Sequence, residues 1–529
     1  MTSYFSLTFF LVFLPVTALA YSAMPQKARW TVLLAASYLF YWCLSGALIG
    51  FIAASTVSVY LCGRRMTSLL RARNAALAEA QTGKRKIKND CKKRMRRVLA
   101  AGIVFNLAML VILKYLGLLT NGANALLSLF GAEASLVAPA IAVPIGISFY
   151  TLMAVSYLVD VYRETAQADR HLGRVALFLS FFPQIMEGPI CRYGQTAAAL
   201  TAGEPIRAKN LYRGALRVLF GLAKKIVVAD RLNAFVKTVF DGYSSYDGSI
   251  IALAAVLYTL QLYCDFSGTM DIALGIGRIF NVSLPENFRQ PFFSRTSSEF
   301  WKRWHITLGT WFKDYVYYPV SLSRPCKRIT SAARKRFGVR YGPLLASSIA
   351  MLCVWTANGL WHGAGLQYLF FGLYYFTMIM AGGFIEPAAQ AAAARLKINR
   401  NSTPYRTFQV ARTLVIIFVG ELFFRANGLD AGLEMFASMV TGFSFDPLIN
   451  GTVFSLGLDR HDFAIVAFAV AVLIAVGVAK ERGRDVGAVI ADRGSFIRCC
   501  ALVLLFVAIV VFGAYGVGYT PVDPMYAQF

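Results

Sequence analysis

Acidic residues are scarce in this chain, and so is charge altogether. Asp and Glu number 27 against 53 Lys and Arg, and charged residues make up 15% of the 529. A soluble domain carries roughly 25%. With 57% apolar residues and a mean hydropathy of +0.56, a soluble globular chain is excluded and an integral membrane protein with many spans is expected. The net charge of +26 does not signal nucleic acid. The basic residues are confined to short segments between apolar runs, which is the positive-inside pattern. Nine cysteines include no CxxC pair and no Cys/His spacing suited to zinc. Cys43, Cys264 and Cys353 lie within apolar runs, so they are expected to be small buried hydrophobes, with neither a disulfide framework nor a metal. GxxxxGK[ST], GxSxG and HExxH are all missing, and with them the motifs of phosphate-loop, elbow-serine and zinc-peptidase chemistry. Histidine occurs only four times.

What is present is a series of apolar runs. Phe5–Tyr21, Trp30–Leu44 and Leu48–Leu61 fit three short spans. Ala18-Leu19-Ala20 imitates a cleavage site, but no Lys or Arg precedes it, so the first run is expected to be a span and not a cleaved signal. Arg64–Arg97, with KRKIKNDCKKRMRR opposed only by Glu79 and Asp90, is expected to be a basic cytoplasmic loop, which places the N-terminus outside. Val98–Leu119 and Ala138–Val159 leave and return, with a kink expected at Pro144-Ile145-Gly146. LFLSFFPQIMEGPICRY is too short and broken to span and suggests a re-entrant segment, in which Glu187 either contacts substrate or pairs with an arginine such as Arg192. Leu216–Phe240 is expected to cross outward and Ser249–Phe280 to cross back. Ser297–Tyr318 repeats aromatic residues at helical spacing and predicts an interfacial amphipathic helix. Spans follow from Gly342-Pro343 to His362, over Leu366–Phe384, Thr413–Phe424 and Phe463–Val478, and over Cys499–Gly518.

The result is an all-α polytopic membrane protein with about twelve crossings plus re-entrant and interfacial helices, both termini extracytoplasmic, surrounded by membrane lipid. Residues 1–529 are expected to form one membrane domain. Within it lie N-terminal spans (1–63), the basic loop (64–97), a core (98–430) and C-terminal spans (431–529).

Within this frame the stretch Asp265–His362 gathers the chemistry. Asp265 sits at membrane depth in YCDFSGTMDIALGIG, where an ionisable residue marks a polar cavity, an ion pair or a substrate path. His305 lies on the aromatic stripe beside Trp301 and Trp304, where on its own a packed core histidine is the default reading. His362, between Trp361 and Gly363, lies about 30 Å along its helix from the cytoplasmic start, and mere packing accounts poorly for it. His461, beside Arg460 and Asp462, is expected to be a surface residue. A neutral imidazole suits proton transfer from an alcohol to a leaving group. Acyl transfer from a cytoplasmic thioester to an external hydroxyl would use such a layout, and so would a substrate-binding transporter or flippase.

SFYTLMAVSYLVDVYR, FFPQIMEGPICR, the long run from YCDFSG through LPENFRQPFFSRTSSEFWKRWHITLGTWFKDYVYYP, LWHGAGLQYLFFGLYY and FFRANGLDAGLEMF together resemble the membrane-bound O-acyltransferase family. The likeness is to its bacterial branch of alginate O-acetylases and teichoic-acid D-alanyl transferases, and it extends from about residue 98 to the C-terminus. It implies a ring of helices around a thin tunnel, with His362 as the family's invariant histidine and His305 as a second, donor-side one. Trp301, Trp304, Asp265, Asn287 of the PENF turn, Trp361 and Glu187 are then candidates for the tunnel wall. No permanently bound cofactor is implied. The donor would be acetyl-CoA or a phosphopantetheinyl acyl carrier, and the acceptor an exported glycan or a secreted acetyltransferase-like partner. Alginate-type members continue YIPLGGNR where this chain has YYPVSLSRPCKR, which leaves an aminoacyl donor and a teichoic-acid-like acceptor open.

Overall fold

The computed structural model describes residues 5–131, 136–137 and 142–515 and, apart from Arg340, their side chains. These residues form helices and their connections, with no strand among them. Two compact units result: Met1–Leu211 with Ile276–Pro285, and Tyr212–Gly275 with Glu286–Phe529.

The first unit begins with α1 (Leu14–Ala23) and α2 (Arg29–Ser45), followed by α3 (Ile49–Glu79) and α4 (Lys84–Leu129). The basic stretch 64–97 is therefore helical on both sides of a turn at 80–83, since Ala, Leu, Lys and Arg all favour helix and nothing apolar is needed to extend one into water. α3 and α4 pack along each other. Ser55 Oγ donates to Asn106 Oδ1 at 2.5 Å, both side chains fully buried.

The return segment α5 starts only at Ile147 and runs to Tyr162. Of the expected span Ala138–Val159, residues 138–141 lie outside the described residues, and the kink foreseen at Pro144–Gly146 is a helix start. Gly146 has φ +74°, and a Cβ there would lie 1.9 Å from the Ile185 carbonyl oxygen. Only glycine fits such a contact. α6 (Leu172–Ser180) stops after nine residues. The irregular chain 181–191 that follows is buried throughout, which is where non-helical backbone is tolerated at membrane depth. α7 (Tyr193–Ala202) follows in this unit.

The second unit contains most of α8 (Ala208–Leu222), a π-helical turn Ala223–Ala229, α9 (Asp230–Asp241) and most of α10 (Gly248–Ile279). The expected crossing Leu216–Phe240 thus belongs to one helical run from 208 to 241. It carries too much charge to rank with the apolar spans, and Lys224, Lys225 and Arg231 are buried within it. Their partners explain how this is sustained. Lys225 Nζ lies 2.8 Å from Asp230 and 2.7 Å from Asp265. Lys224 pairs with Asp271 at 2.5 Å, and Arg217 bridges Asp271 and Glu286. Buried charge persists only when paired in this way. α8 and α10 come close enough for this through glycines: a Cβ on Gly221 would lie 2.5 Å from the Gly268 carbonyl oxygen.

The expected single helix Ser297–Tyr318 is broken. α11 (Ser297–Arg303) and α12 (Ile306–Phe312) are separated by Trp304 and His305, and a π turn (Lys313–Tyr317) and α13 (Tyr318–Ser321) follow. α14 (Arg324–His362) is kinked at Gly338, α15 (Leu366–Arg395) returns alongside it, and α16 (Thr403–Arg425) follows. The remaining helices are α17 (Leu429–Thr441), α18 (Asp446–Ile449), α19 (Arg460–Glu481), α20 (Val486–Ala491) and α21 (Ser495–Phe512). The end of the expected span Cys499–Gly518, at 516–518, lies outside the described residues. Among the described residues eight helical runs are long and apolar enough to cross a membrane: Gln26–Glu79, Lys84–Leu129, Gly248–Ile279, Tyr341–His362, Leu366–Arg395, Thr403–Arg425, Arg460–Glu481 and Ser495–Phe512. Phe9–Ala23 and Ile147–Tyr162 are shorter apolar helices. The chain is an all-helical polytopic membrane protein.

Candidate active site

The helix break at Trp304-His305 comes from the PENF turn. The Ile306 N–H donates to the Asn287 backbone carbonyl at 3.0 Å, and the Thr307 N–H donates to Asn287 Oδ1 at 2.9 Å. These acceptors replace the ones a continuous helix would supply. They hold His305 at φ +46°, a left-handed conformation costly for a residue with a Cβ.

The same amide orients the imidazole. Asn287 Oδ1 accepts from the Thr307 N–H and, at 3.0 Å, from the Thr307 hydroxyl, which identifies this atom as the oxygen. His305 Nδ1 lies 3.3 Å from it and must therefore be the protonated nitrogen, leaving the lone pair on Nε2. Burial lowers the His305 pKa to about 3, so the ring is neutral at ordinary pH. Phe266 of α10 packs edge-on against the ring, with centroids 4.8 Å apart.

His362 is the last residue of α14 and is 4% exposed. Its ring is boxed by Trp361 at 5.0 Å, Phe424 at 4.9 Å and Phe371 at 5.7 Å. Trp361 also meets His305, at 5.9 Å, so one indole contacts both imidazoles. His305 and His362 line a common cavity with Trp301, Trp304, Trp355 and Phe371. Trp301 is fixed by T-shaped contacts to Trp355 and Tyr375, and Trp304 by a stack on Phe300.

Of the residues singled out from the sequence, four therefore share this cavity: His305, His362, Trp301 and Trp304. Trp361 touches both histidines. Asn287 holds His305 and lines a second cavity together with Arg217, Lys224, Asp271, Glu286 and Lys480. The Asp265 side chain is engaged by Lys225 and is not part of either lining. Glu187, fully buried, belongs to the first unit. His461 is exposed, as expected of a surface residue.

Sequence reasoning passed over Asn358 and Glu421, which also line the cavity of the two histidines. Glu421 interrupts the apolar run TLVIIFVGELFF, and an ionisable residue at that depth was the signal that marks it. Among the described residues no cluster of His, Cys, Asp and Glu has the arrangement of a metal site.

The membrane-bound O-acyltransferase family model matches residues 168–334, a range that includes His305 and ends before His362. The chain is similar to the probable alginate O-acetylase AlgI of Azotobacter vinelandii, 30% identical over 470 residues, which cover 89% of this chain and 84% of that protein. The corresponding protein of Pseudomonas putida is 31% identical over 437 residues, 83% of this chain and 79% of its own. The teichoic acid D-alanyltransferase of Bacillus subtilis is 28% identical over 248 residues, 46% of this chain and 59% of its own. Identity at this level along most of the chain shows that it is an O-acyltransferase and belongs to the membrane-bound O-acyltransferase family.

Proposed function

We propose that this enzyme moves an acetyl group from a cytoplasmic thioester, acetyl-CoA or a phosphopantetheinyl carrier, to a hydroxyl of an exported cell-surface glycan or of a secreted relay protein. The observation that carries the mechanism is that His305 and His362, on different helices, line one otherwise largely aromatic cavity. In this reading His362 takes the proton of the acceptor hydroxyl as its oxygen attacks the thioester carbonyl, and the proton then passes to the departing sulfur. His305, neutral and locked by Asn287, orients the donor from the other side. The cavity beyond Asn287, bordered by Arg217, Lys224 and Lys480 against Asp271 and Glu286, suits the polar arm of such a donor. The basic stretches at 64–97 and 324–340 set the cytoplasmic side by the positive-inside rule, in the plasma or inner membrane of a bacterium.

Acetyl is favoured over D-alanyl because the similarity to the proteins named as acetylases extends over 83–89% of this chain, against 46% for the D-alanyltransferase. The test is transfer of radiolabelled acetyl from acetyl-CoA by purified protein in detergent. His362→Ala should abolish it. Transfer at the wild-type rate by that variant overturns the mechanism.

A further inference from the structure

Resting on the reading above, we propose that Glu421 is an acceptor-binding residue, and that it selects acceptors with a second hydroxyl beside the one that is acylated. Glu421 is 1% exposed and lines the cavity shared by His305 and His362. Its Oε2 has no hydrogen-bond partner among the described residues. The indole N–H of Trp301, on the same cavity, has none either. One buried acceptor and one buried donor thus stand unanswered in a box whose other walls are mostly Leu, Val, Phe and Trp. Buried polar groups are paired almost without exception, so the partner of this pair is expected to be a polar guest.

The position of Glu421 says which guest. It lies one helical turn before Phe424 on α16, and Phe424 is the ring packed against His362. Residues at i and i+3 share a helix face, so the carboxyl belongs to the His362 side of the cavity, where the acceptor hydroxyl is deprotonated. Tyr375, whose hydroxyl interacts with the carboxyl, carries this group across to Trp301 through a ring contact of 4.7 Å. A sugar offers neighbouring hydroxyls: one gives its proton to His362 as its oxygen forms the new C–O bond and the C–S bond breaks, and its neighbour donates a hydrogen bond to Glu421. The proton from the attacked hydroxyl ends on the thiol, and Glu421 neither gains nor loses one. A serine offers no second hydroxyl beside the acylated one to Glu421.

The experiment measures kcat and KM with acetyl-CoA as donor and two acceptor probes, methyl β-mannopyranoside and N-acetylserine amide, for wild type, Glu421→Gln and Glu421→Leu. A hydrogen bond between uncharged groups corresponds to about two- to tenfold in binding. The sugar-to-serine ratio of kcat/KM should fall by that much in Glu421→Leu, mainly through KM for the sugar, and by less in Glu421→Gln, whose amide oxygen still accepts. An unchanged ratio overturns the proposal, as does a wild type that acetylates only the serine probe, and the acyltransfer reading survives both. A ratio that stays fixed while preference shifts between acetyl and alanyl thioesters assigns Glu421 to an ammonium on the donor and also overturns it. A wild type that acetylates neither probe brings down the underlying reading itself. Should Glu421→Leu fail to fold, Glu421→Gln alone decides by the same ratio.

Discussion

Replacing Asn287 by alanine removes the group on which the geometry of His305 depends. Three contacts converge on its Oδ1: the Thr307 N–H at 2.9 Å, the Thr307 hydroxyl at 3.0 Å and His305 Nδ1 at 3.3 Å. Stranding the buried Thr307 N–H costs about 1–3 kcal/mol, and the two other bonds contribute about 0.5–1.5 kcal/mol each. The left-handed backbone at His305, unfavourable by about 1–2 kcal/mol for a residue with a side chain, also loses what pins it. A destabilisation of about 3–5 kcal/mol is expected. Activity should fall for a separate reason. One neutral hydrogen bond biases the imidazole tautomer by at most about tenfold, so a larger loss means that the main chain has moved. Asn287→Asp separates the two effects. It keeps an oxygen for Thr307 and so keeps most of the stability, but its carboxylate beside Nδ1 favours the imidazolium and raises His305 from its value of about 3. That variant should melt near the wild type and lose activity progressively toward acid pH. Thermal unfolding in detergent and acetyl transfer across pH read both quantities. An Asn287→Ala protein with wild-type melting and wild-type rate refutes the reasoning.

Two further outcomes follow from buried groups. Because burial lowers His305 to about 3 against an ordinary 6.5, the unfolded chain binds a proton between those values that the folded chain does not. This contribution leaves stability untouched above about pH 6.5 and erodes it as pH falls toward 3, by up to about 1.4 kcal/mol per unit. Melting curves of wild type and His305→Gln should therefore draw together in acid, and a constant gap from pH of about 4 to 7 is the contrary result. Lys225→Met leaves Asp230 and Asp265 buried without their cation and should cost about 3–5 kcal/mol, read as loss of monodisperse protein on size exclusion. Adding Asp265→Asn should recover part of it, and a single variant as stable as wild type contradicts the pairing.

Length and apolarity make much of the scaffold legible in the sequence. The run expected over 249–280 forms Gly248–Ile279, and the helix expected to end at Trp361-His362-Gly363 ends at His362. Both are continuous apolar stretches whose ends are marked by local residues. The break at His305 was not legible, because its cause is an acceptor pair on Asn287, 18 residues upstream, that competes with the helix's own carbonyls. Local pattern predicted one amphipathic helix, and a tertiary bond overrode it. The helical nature of 64–97 was hidden for the opposite reason. A solvated basic helix carries no apolar periodicity to announce it, only good propensity on most of its residues.

The two carboxylates of the second unit show where sequence reasoning about buried charge stops. Asp265 and Glu421 look alike in the chain: each interrupts an apolar run, and each is almost wholly buried, at 2% and 1% exposure. Depth leaves Asp265 open to a cavity, an ion pair or a substrate path, the family resemblance makes it a candidate for the tunnel wall, and Glu421 is passed over. What distinguishes them is the partner. Asp265 meets Lys225, 40 residues earlier in sequence, at 2.7 Å, on a side of α10 about 100° round from Phe266, the residue packed against His305. Leu262, one turn before Phe266, turns the same face of α10 to the cavity. Helix α10 thus divides the unit, carrying its ion pairs toward α8 and α9 and an apolar face toward the histidines. A charge on the paired side is absorbed by the fold, since removing its cation is what costs stability. Glu421 has no such cation among the described ion pairs; it lines the cavity of the two histidines with the Tyr375 hydroxyl as partner to its carboxyl, and in the reading proposed above a polar guest answers the remaining oxygen.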